Sequence, residues 1–545
     1  MAVIPTTQSL IVGLIILGAF YIYKRFFTLR NNSGLPLPPG PPAESFFGHF
    51  RTVPLLNPEY SYIKWGKEYG MSRILSLVLY SVFGERIMLT LGYDTVASDV
   101  LYFNILGRPV VVLNSVKAAV DLLNKKGSNY QDRPRFVLFE VMGWGMTLTF
   151  LRSGPKFQLH RKLIQTNLTK SAIVKYQPLQ ELEARIAVNG IMQDPKNWDA
   201  ITRRFSSAIV LSIGFGVTID SNSHPYLKLT EDANYATTNG GSPASTIVDY
   251  FPIFKYVPNW LARSSPLKHA RDWKYAILNL HEIPFANLQK EIKEGIAQKC
   301  IAQTLLEQYA AREKKGEVND LSIEDIKGAC GAIFIAGANT TWSTILICIL
   351  NLLMNPAVLK KAQAEVDAVV GSDRLPNFED RERLRYIDFI VQEAFRWAPL
   401  SPLGVPHRSI EDDTYKGMFI PAGSTIYANA RAMCYDETIY KNPSQFNPDR
   451  FTPKDEGGAS EPFAQGPFGF GRRICPGNHL AAASLWMILT TILHTMDILP
   501  AVDKDGKEIP PVVALSNGLS SHPEHFEVQL KPRSKEAEEL LANSI

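Results

Sequence analysis

The sequence is poor in cysteine and has almost no excess of charge of either sign. Only five cysteines occur among 545 residues, and no two of them form a Cys-x-x-Cys pair. An odd number of scattered cysteines argues against a disulfide framework, and the missing pair argues against a structural zinc site. Lys and Arg number 57 and Asp and Glu number 53, so the net charge of +4 gives no reason to expect nucleic-acid binding. The sequence also contains no internal repeat and no Gly-x-Gly-x-x-Gly dinucleotide loop.

Charged side chains are missing from the first 23 residues, and Lys24 and Arg25 follow directly. Val3–Tyr23 supplies the roughly 20 apolar residues that a membrane-spanning helix needs. Because the positive charges come after the apolar run and no Ala-x-Ala site follows, we expect a signal anchor with the remaining chain in the cytosol. A buried N-terminal helix is the alternative. The proline-rich stretch Leu35–Pro42 then serves as a stiff connector, so we expect an anchor at 1–30 and one large domain at 31–545.

Apolar periodicity in the rest of the chain predicts a mainly α-helical body with small β-sheets. Strand-like runs are Val100–Ile105, Val110–Leu113 and Thr425–Ala428. Helical stretches are Ser115–Lys125, Pro178–Met192, Glu282–Lys315, Ile323–Met354, Pro356–Val369, Tyr386–Trp397 and Asn478–Met496. Gly328–Leu359 carries no charge and is long enough to span a membrane. Its small and polar centre, Ala336–Thr341, favours instead a long helix through the core that opens toward a ligand at this notch.

One cysteine lies in an unusual setting near the C-terminus. Phe468–Gly477 reads FGFGRRICPG, which places Cys475 in a glycine-rich loop with two arginines, directly before the helical stretch. Positive charge, a helix N-terminus and free backbone amides favour a thiolate, and glycines let the backbone approach a flat ligand. These properties suit a thiolate that ligates heme iron. A buried cysteine beside an anion-binding loop is the alternative.

The order Phe468-x-x-Gly471-x-Arg473-x-Cys475-x-Gly477 resembles the heme-binding loop of the cytochrome P450 family. Three further motifs stand in the order of that family. Glu393–Arg396 resembles the Glu-x-x-Arg of its K helix, and Phe446–Phe451 resembles its meander segment, whose Arg450 would complete a triad with Glu393 and Arg396. Ala336–Thr341 resembles the oxygen-binding notch of its I helix. The resemblance extends from Leu35 to the C-terminus and has the character of a fungal, microsomal member. It implies the cytochrome P450 fold with a long central I helix, preceded by one N-terminal transmembrane helix.

The resemblance also implies a cofactor, heme b, and a set of residues that bind it. Cys475 would be the ligand of the heme iron. The other cofactor-binding positions that the family motifs imply are Phe468, Gly471, Arg473, Gly477, Arg161, His407 and Arg408. Among these, Arg473 and Arg161 would pair with heme propionates, and His407 would do so in preference to Arg408.

The segment around Arg161 departs from the family pattern. It reads Phe157-Gln158-Leu159-His160-Arg161, whereas the family has tryptophan at the first of these positions. Phe157 lacks the indole N–H that would donate a hydrogen bond. We therefore expect heme retention to be weaker by about one hydrogen bond.

Thr340 and Asn339 are the catalytic residues that the resemblance implies. Thr340 aligns with the threonine that assists oxygen activation, and Asn339 stands where the family usually has an acid that helps to deliver protons. An amide does not titrate near neutral pH, so Asn339 is no ordinary acid–base relay. Either water and Thr340 carry the protons while Asn339 orients them, or monooxygenase turnover is reduced, or the enzyme rearranges a peroxide without external protons.

A second departure is the stretch Met71–Ser98. In the family, a segment like Trp65–Gly70 runs directly into the first strands, which resume here at Asp99. The 28 residues between them are rich in Ile, Leu, Val, Met and aromatic residues, although long surface loops are uncommon and normally polar. The stretch is either a membrane-dipping insertion or a translated intron, and its clean placement between family-like ends favours the intron.

The resemblance implies a heme-thiolate monooxygenase that uses O2 to oxidise a hydrophobic small molecule, in secondary metabolism or xenobiotic oxidation. Since no flavin or dinucleotide loop is present, electrons would come from NADPH-cytochrome P450 reductase, with cytochrome b5 as an additional donor. The expected location is the endoplasmic reticulum membrane, with the catalytic domain in the cytosol. Two other hypotheses are a heme-thiolate isomerase or dehydratase that needs no reductase, and an inactive product of a mis-spliced gene model.

Overall fold

The computed structural model describes residues 33–44, 47–54, 56–69, 98–241, 243–262, 265–516 and 519–544. The expected membrane anchor at 1–30 lies outside these ranges, and so does the anomalous stretch 71–98 apart from Ser98. The chain divides into two compact units. The first comprises the described residues of Met1–Pro134 and Pro406–Ala432, and the second comprises those of Arg135–Val405 and Met433–Ile545.

Helices account for most of the described chain. Numbered along the sequence, the α-helices are α1 (Pro58–Tyr69), α2 (Val116–Ala119), α3 (Gly127–Tyr130), α4 (Val137–Met142), α5 (Pro155–Leu168), α6 (Gln177–Gln193), α7 (Trp198–Phe215), α8 (Pro225–Asn239), α9 (Ile247–Tyr250), α10 (Asn259–Ala262), α11 (Pro266–Asp272), α12 (Lys274–Glu294), α13 (Ile301–Lys315), α14 (Ile323–Met354), α15 (Pro356–Val370), α16 (Arg385–Trp397), α17 (Ala430–Cys434), α18 (Asn478–Thr495) and α19 (Lys535–Ala542).

The strands are short and form small sheets. They are β1 (Val100–Ile105), β2 (Arg108–Leu113), β3 (His407–Arg408), β4 (Asp413–Tyr415), β5 (Met418–Ile420), β6 (Thr425–Ala428), β7 (Met496–Val502), β8 (Glu508–Ile509) and β9 (Val528–Pro532). The prediction of a mainly helical body with small sheets is confirmed. Two predicted strands have the predicted bounds, and the third begins two residues earlier, at Arg108.

The first unit contains a four-stranded sheet in the order β1-β2-β6-β3. Strands β1 and β2 form a hairpin whose two turn residues, Leu106 and Gly107, have φ of +48° and +81°. Both turn positions need positive φ, which matches the right-handed twist of the two strands. Strand β6 pairs parallel to β2 and antiparallel to β3, so that His407 lies opposite Ile426. A separate hairpin joins β4 and β5.

The second unit is built around α14. Helix α7 packs along it so closely that a Cβ on Gly337 would lie 2.3 Å from Val210 Cγ1. Within the described ranges, α14 is the one helix long and apolar enough to cross a membrane, and 78% of its most apolar window is buried inside the protein. The interpretation of Gly328–Leu359 as a core helix is therefore confirmed. The prediction of Ile323–Met354 matches the observed helix at both ends.

Two helix predictions need correction. The single helix predicted at Glu282–Lys315 is wrong, because α12 ends at Glu294 and the next residue, Gly295, has a φ of +75°, outside the right-handed helical region. The chain then starts a new helix, α13, at Ile301. The helix predicted to end at Met496 ends at Thr495, and Met496 is the first residue of β7, which pairs with β9.

A buried ion triad joins α16, which carries Glu393 and Arg396, to Arg450 in the chain segment after α17. Glu393 accepts hydrogen bonds from Arg396 Nε and Nη2 at 2.8 Å each and from Arg450 Nε at 3.0 Å. Arg396 Nη1 also donates to the carbonyls of Cys434 and Pro443. All three charged side chains are buried, and the predicted triad is present. Because each charge is paired, the triad fixes the chain segment after α17 without leaving an isolated buried ion.

Candidate active site

Cys475 ends a loop that begins at Phe468. Its backbone N–H donates to the Phe468 carbonyl at 2.8 Å, and a short 3-10 turn, Gly471–Arg473, lies between them. Gly469 and Gly471 have φ of +74° and +59°, a region that favours glycine. A Cβ on Gly477 would lie 4.0 Å from Cys475 Sγ. The positive φ values of Gly469 and Gly471 therefore let the loop close between Phe468 and Cys475, and a Cβ at Gly477 would only just contact the sulfur.

The environment of Cys475 differs from that of the other cysteines. Cys300, Cys330, Cys348 and Cys434 are buried, whereas Cys475 is partly exposed. Desolvation by the surrounding protein raises the pKa of the Cys475 thiol, and three positive groups oppose this rise: the Gly477 backbone N–H, the Arg161 guanidinium and the Asn478 backbone N–H. Since α18 begins at Asn478, the sulfur lies at a helix N-terminus, where a thiolate or a thiolate–metal bond is stabilised.

Arg473 is held by stacking on an aromatic ring. Its Cζ atom lies 3.5 Å from the centroid of the Phe157 ring, and its Nη1 donates to the Leu151 carbonyl at 2.8 Å. Both side chains are buried. Phe157 thus contributes a cation–π contact where the family has an indole N–H donor. This contact joins α5 to a loop more than 300 residues away, and no local pattern around Phe157 predicts it.

Arg161 also connects α5 to the cysteine loop. It lies one helical turn after Phe157, which places both side chains on the same face of the helix. Arg161 Nη1 donates to the Ile474 carbonyl, and Nε donates to Gln165 Oε1 at 2.8 Å. Two arginines predicted from separate motifs, Arg161 and Arg473, therefore converge on the loop that carries Cys475.

Within the second unit, the ring of Phe468 packs against α16. The ring lies edge-on to that of Phe395 in α16, with 4.8 Å between the centroids and an interplanar angle of 75°. The side chain of Phe468 is partly exposed. The hydrogen bond from the Cys475 N–H to the Phe468 carbonyl joins the two ends of the loop.

The predicted notch in α14 is visible as a change in exposure. From Asp325 to Leu353 every residue is buried except Ile335, Ala336, Gly337 and Thr340. Thr340 Oγ1 donates to the Ala336 carbonyl at 2.6 Å, and Thr344 Oγ1 donates to the Thr340 carbonyl at 2.9 Å. Such bonds from a hydroxyl to the preceding turn weaken the helical ladder and bend a helix locally. The buried core helix therefore opens at the residues that the sequence singles out.

Asn339 lies beside this opening but does not share its exposure. Its side chain is 7% exposed, and within the described ranges its Oδ1 atom has no hydrogen-bond partner. Its carbonyl accepts from Ser343 Oγ at 2.8 Å. The amide is thus a buried acceptor next to the exposed Thr340 hydroxyl, suited to holding a water molecule and unable to titrate.

His407 and Arg408 belong to the first unit. His407 is buried, and its Nδ1 lies 2.8 Å from the Tyr130 carbonyl, which requires the proton on Nδ1. Arg408 Nη1 donates to Asp132 Oδ2 at 3.1 Å, so a carboxylate already balances its charge. The assignment of His407 or Arg408 to a heme propionate stays a prediction.

Among the described cysteines of the second unit, Cys475 is the one that is not buried. Among the described residues, no group of three His, Cys, Asp or Glu side chains could hold a metal ion by itself. One thiolate in a loop shaped by glycines suits instead a metal that a planar macrocycle already surrounds on four sides. The loop of Cys475, with Arg473 in it and Arg161 bonded to it from α5, therefore fits heme b.

Comparison with known proteins supports the same cofactor. The sequence profile described as Cytochrome P450 matches residues 93–530. The chain is 34% identical to a cytochrome P450 monooxygenase of Armillaria gallica, an alignment that covers 95% of this chain and 96% of that protein. It is 32% identical to cytochrome P450 monooxygenase 136 of Postia placenta, covering 93% and 90% of the two chains. It is 30% identical to the tryptamine 4-monooxygenase of Psilocybe cyanescens, covering 97% and 98%. The chain belongs to the cytochrome P450 family and is an oxidoreductase with heme b as its cofactor.

Proposed function

We propose that this protein is a membrane-anchored heme-thiolate monooxygenase that oxidises a hydrophobic small molecule, with Cys475 as the ligand of the heme iron. The observation that carries the proposal is the setting of Cys475, a residue at a helix N-terminus whose thiol has the backbone amides of Gly477 and Asn478 and the charge of Arg161 around it. When bound through a thiolate, heme b supplies the chemistry of oxygen activation. In this proposal Gly471, with its positive φ, and Gly477, without a Cβ beside the sulfur, keep the loop close to the face of the cofactor. Phe468, whose carbonyl accepts from the Cys475 N–H, would shield the sulfur from water.

Arg473 and Arg161 bind the propionates in this proposal. Each is anchored by a backbone carbonyl, Leu151 for Arg473 and Ile474 for Arg161. A guanidinium carries five donors and forms charge-assisted pairs with carboxylates, which suits both arginines to binding a propionate. Phe157 holds the plane of the Arg473 guanidinium in one orientation.

Thr340 and Asn339 handle protons at the notch of α14. The Thr340 hydroxyl, bonded within the helix, can rotate to donate toward the cofactor side because its residue is partly exposed. Asn339 orients a water molecule through its buried Oδ1 and does not itself give up a proton. Water and Thr340 therefore carry the protons that an acid delivers in other members.

Electrons come from NADPH-cytochrome P450 reductase in this proposal, with cytochrome b5 as an additional donor. The exposed cations Lys156, Lys162 and Arg472 lie on α5 and on the loop of Cys475, the elements next to the proposed ligand. Basic residues near the cofactor would attract an acidic partner and speed its association. Lys156 Nζ also lies 3.6 Å from Asp325 Oδ1, and this negative charge reduces the attraction of Lys156 for an acidic partner.

The proposed membrane location receives support from one surface of the second unit. Residues 253–261 expose large apolar side chains, of which Trp260 is 74% exposed and Tyr256 is 72% exposed. Ile253 and Leu261 extend the same exposed segment. Neighbouring apolar and aromatic side chains of this kind mark interaction surfaces, and Trp and Tyr favour the membrane interface. The segment suits a catalytic domain that rests on the endoplasmic reticulum membrane and takes up hydrophobic substrates for secondary metabolism or xenobiotic oxidation.

A heme-thiolate isomerase or dehydratase is the second candidate, because Asn339 cannot relay protons as an acid. The two functions differ in their co-substrates. The purified protein, reconstituted with reductase and NADPH under air, should form an oxygenated product from a panel of hydrophobic compounds. Conversion of a peroxide substrate without NADPH or O2, and no oxygenated product with them, would support the isomerase instead. Cys475→Ala is the matched control and should abolish either activity.

A further inference from the structure

A second polar site lies on α14, closer to the N-terminus of the helix than the notch at Ala336–Thr341. Gly328 and Gly331 are one turn apart on this helix and share a face. A Cβ on Gly328 would lie 2.7 Å from the Met146 carbonyl oxygen and 3.1 Å from His160 Cε1. A Cβ on Gly331 would lie 2.2 Å from His281 Cδ2. The two glycines therefore make room for the imidazoles of His160, from α5, and His281, from α12.

Both imidazoles have a defined orientation. His160 Nε2 lies 2.9 Å from Asp325 Oδ1, and His281 Nδ1 lies 2.8 Å from the Ile277 carbonyl. Carboxylate and carbonyl oxygens only accept, so these nitrogens carry the protons. Burial lowers the pKa of both histidines, which favours the neutral rings. Each ring therefore presents one unprotonated acceptor nitrogen to the interior, Nδ1 of His160 and Nε2 of His281, and neither atom has a partner in the described part of the chain.

Two buried donors lie in the adjoining turn. Trp144 and Thr147 are each 2% exposed, and neither Trp144 Nε1–H nor Thr147 Oγ1–H has a partner among the residues described. The Trp144 ring lies edge-on to the His281 ring, with 6.2 Å between their centroids. Met146, whose carbonyl touches the face of Gly328, lies between the two donors in sequence. The same small region thus contains two donors and two acceptors, all buried.

Four orphaned polar groups in one place would cost a free energy comparable to the net stability of a domain. Water can donate twice and accept twice, and buried waters usually bond to groups of this kind. We propose that a buried water site lies between the side chains of Trp144, Thr147, His160 and His281, which pack around the Gly328–Gly331 face of α14. In it, ordered water accepts hydrogen bonds from Trp144 Nε1 and Thr147 Oγ1 and donates to His160 Nδ1 and His281 Nε2.

The site links segments that the proposed chemistry depends on. Its ligands come from α5, which carries Arg161 directly after His160, from α12, and from the turn at Trp144. The glycine face belongs to α14, which carries Thr340. A bound water would connect α5, α12 and the turn at Trp144 through hydrogen bonds. Along the rest of α14 the contacts are mainly apolar.

A crystal structure of the holoenzyme at a resolution that shows ordered waters tests the site directly. The expected result is water density within about 2.7–3.2 Å of both His160 Nδ1 and His281 Nε2. A dry site would overturn the proposal, and so would a direct hydrogen bond from Trp144 or Thr147 to either imidazole.

Two variants of Thr147 provide a second test in solution. Thr147→Val removes the donor and keeps the shape, so the midpoint of thermal unfolding should fall by about 1–3 °C. Thr147→Ser keeps the hydroxyl and should stay closer to the wild type. Thr491→Val is the matched control, since the Thr491 hydroxyl donates to the Met487 carbonyl within α18 and binds no water in this proposal. A midpoint for Thr147→Val equal to or above that of the wild type would mean that the hydroxyl has no partner, which contradicts the water site.

Discussion

The stacking of Arg473 on Phe157 leads to the most specific prediction. Replacement of Phe157 by leucine keeps the site apolar and similar in volume but removes the aromatic face under the guanidinium. Arg473 keeps its hydrogen bond to the Leu151 carbonyl in this variant. Its guanidinium should sample more orientations, and its pairing with a heme propionate should weaken.

The expected size of the effect follows from burial. Cation–π contacts contribute about 0.5–1 kcal/mol at exposed sites and about 2 kcal/mol when desolvated. Phe157 is 4% exposed and Arg473 is 9% exposed, which places this pair toward the desolvated limit. Since about 1.4 kcal/mol corresponds to a tenfold change in an equilibrium constant, Phe157→Leu should weaken heme binding roughly 5- to 30-fold.

The assay is the transfer of heme from the purified protein to an excess of an apoglobin, followed by absorbance. Phe157→Trp should retain heme at least as well as the wild type, because indole keeps the aromatic face and adds an N–H donor. Phe205→Leu, a buried position on α7, controls for a general loss of core packing. Equal heme retention in Phe157→Leu and the wild type would refute the role given to this contact.

Three further predictions concern buried groups. Glu393→Gln leaves the guanidinium of Arg396 without its buried counter-ion and should lower the free energy of unfolding by about 3–5 kcal/mol in urea titrations; a loss below about 1 kcal/mol would contradict the role of the triad. Asn339→Asp should leave the ratio of product to NADPH consumed unchanged, and a clear rise would show that the missing acid limits turnover. Burial lowers the pKa of His160 and His281 below the usual 6.5, so their contribution to stability is complete above that pH and is lost as the pH falls toward the folded-state values. The urea midpoint should therefore decrease from about pH 7.5 to about pH 5.5, and a constant midpoint would contradict this reasoning.

The features that the sequence predicts best are those with a local physical signature. The loop Phe468–Gly477 is recognisable because glycines, arginines and one cysteine occur together, and the structure closes it as a tight turn at a helix N-terminus. Helix α14 is recognisable because a long uncharged run has a capped start at Ser322. Its notch is visible because small and polar residues interrupt that run, and the exposure of Ala336 and Thr340 follows this interruption.

Other elements lack such a signature. The sequence predicts no helix at Trp198–Phe215, because α7 is buried on almost all of its faces and so has no polar stripe to reveal a helical period. The change from α18 to β7 at Met496 falls inside a continuous apolar run, where periodicity cannot separate helix from strand. The contact between Phe157 and Arg473 depends on tertiary packing. From the sequence one can see only that Phe157 lacks the indole N–H of the tryptophan found at this position in the family.

The central claim is that Cys475 ligates the heme iron as a thiolate. The most direct test is the difference spectrum of the reduced, carbon monoxide-bound protein, recorded for the wild type and for Cys475→His. The account predicts the red-shifted Soret band of a thiolate-ligated heme in the wild type and its replacement by an imidazole-type band in the variant. A wild-type protein that is folded and binds heme but shows no thiolate-type band would contradict the account.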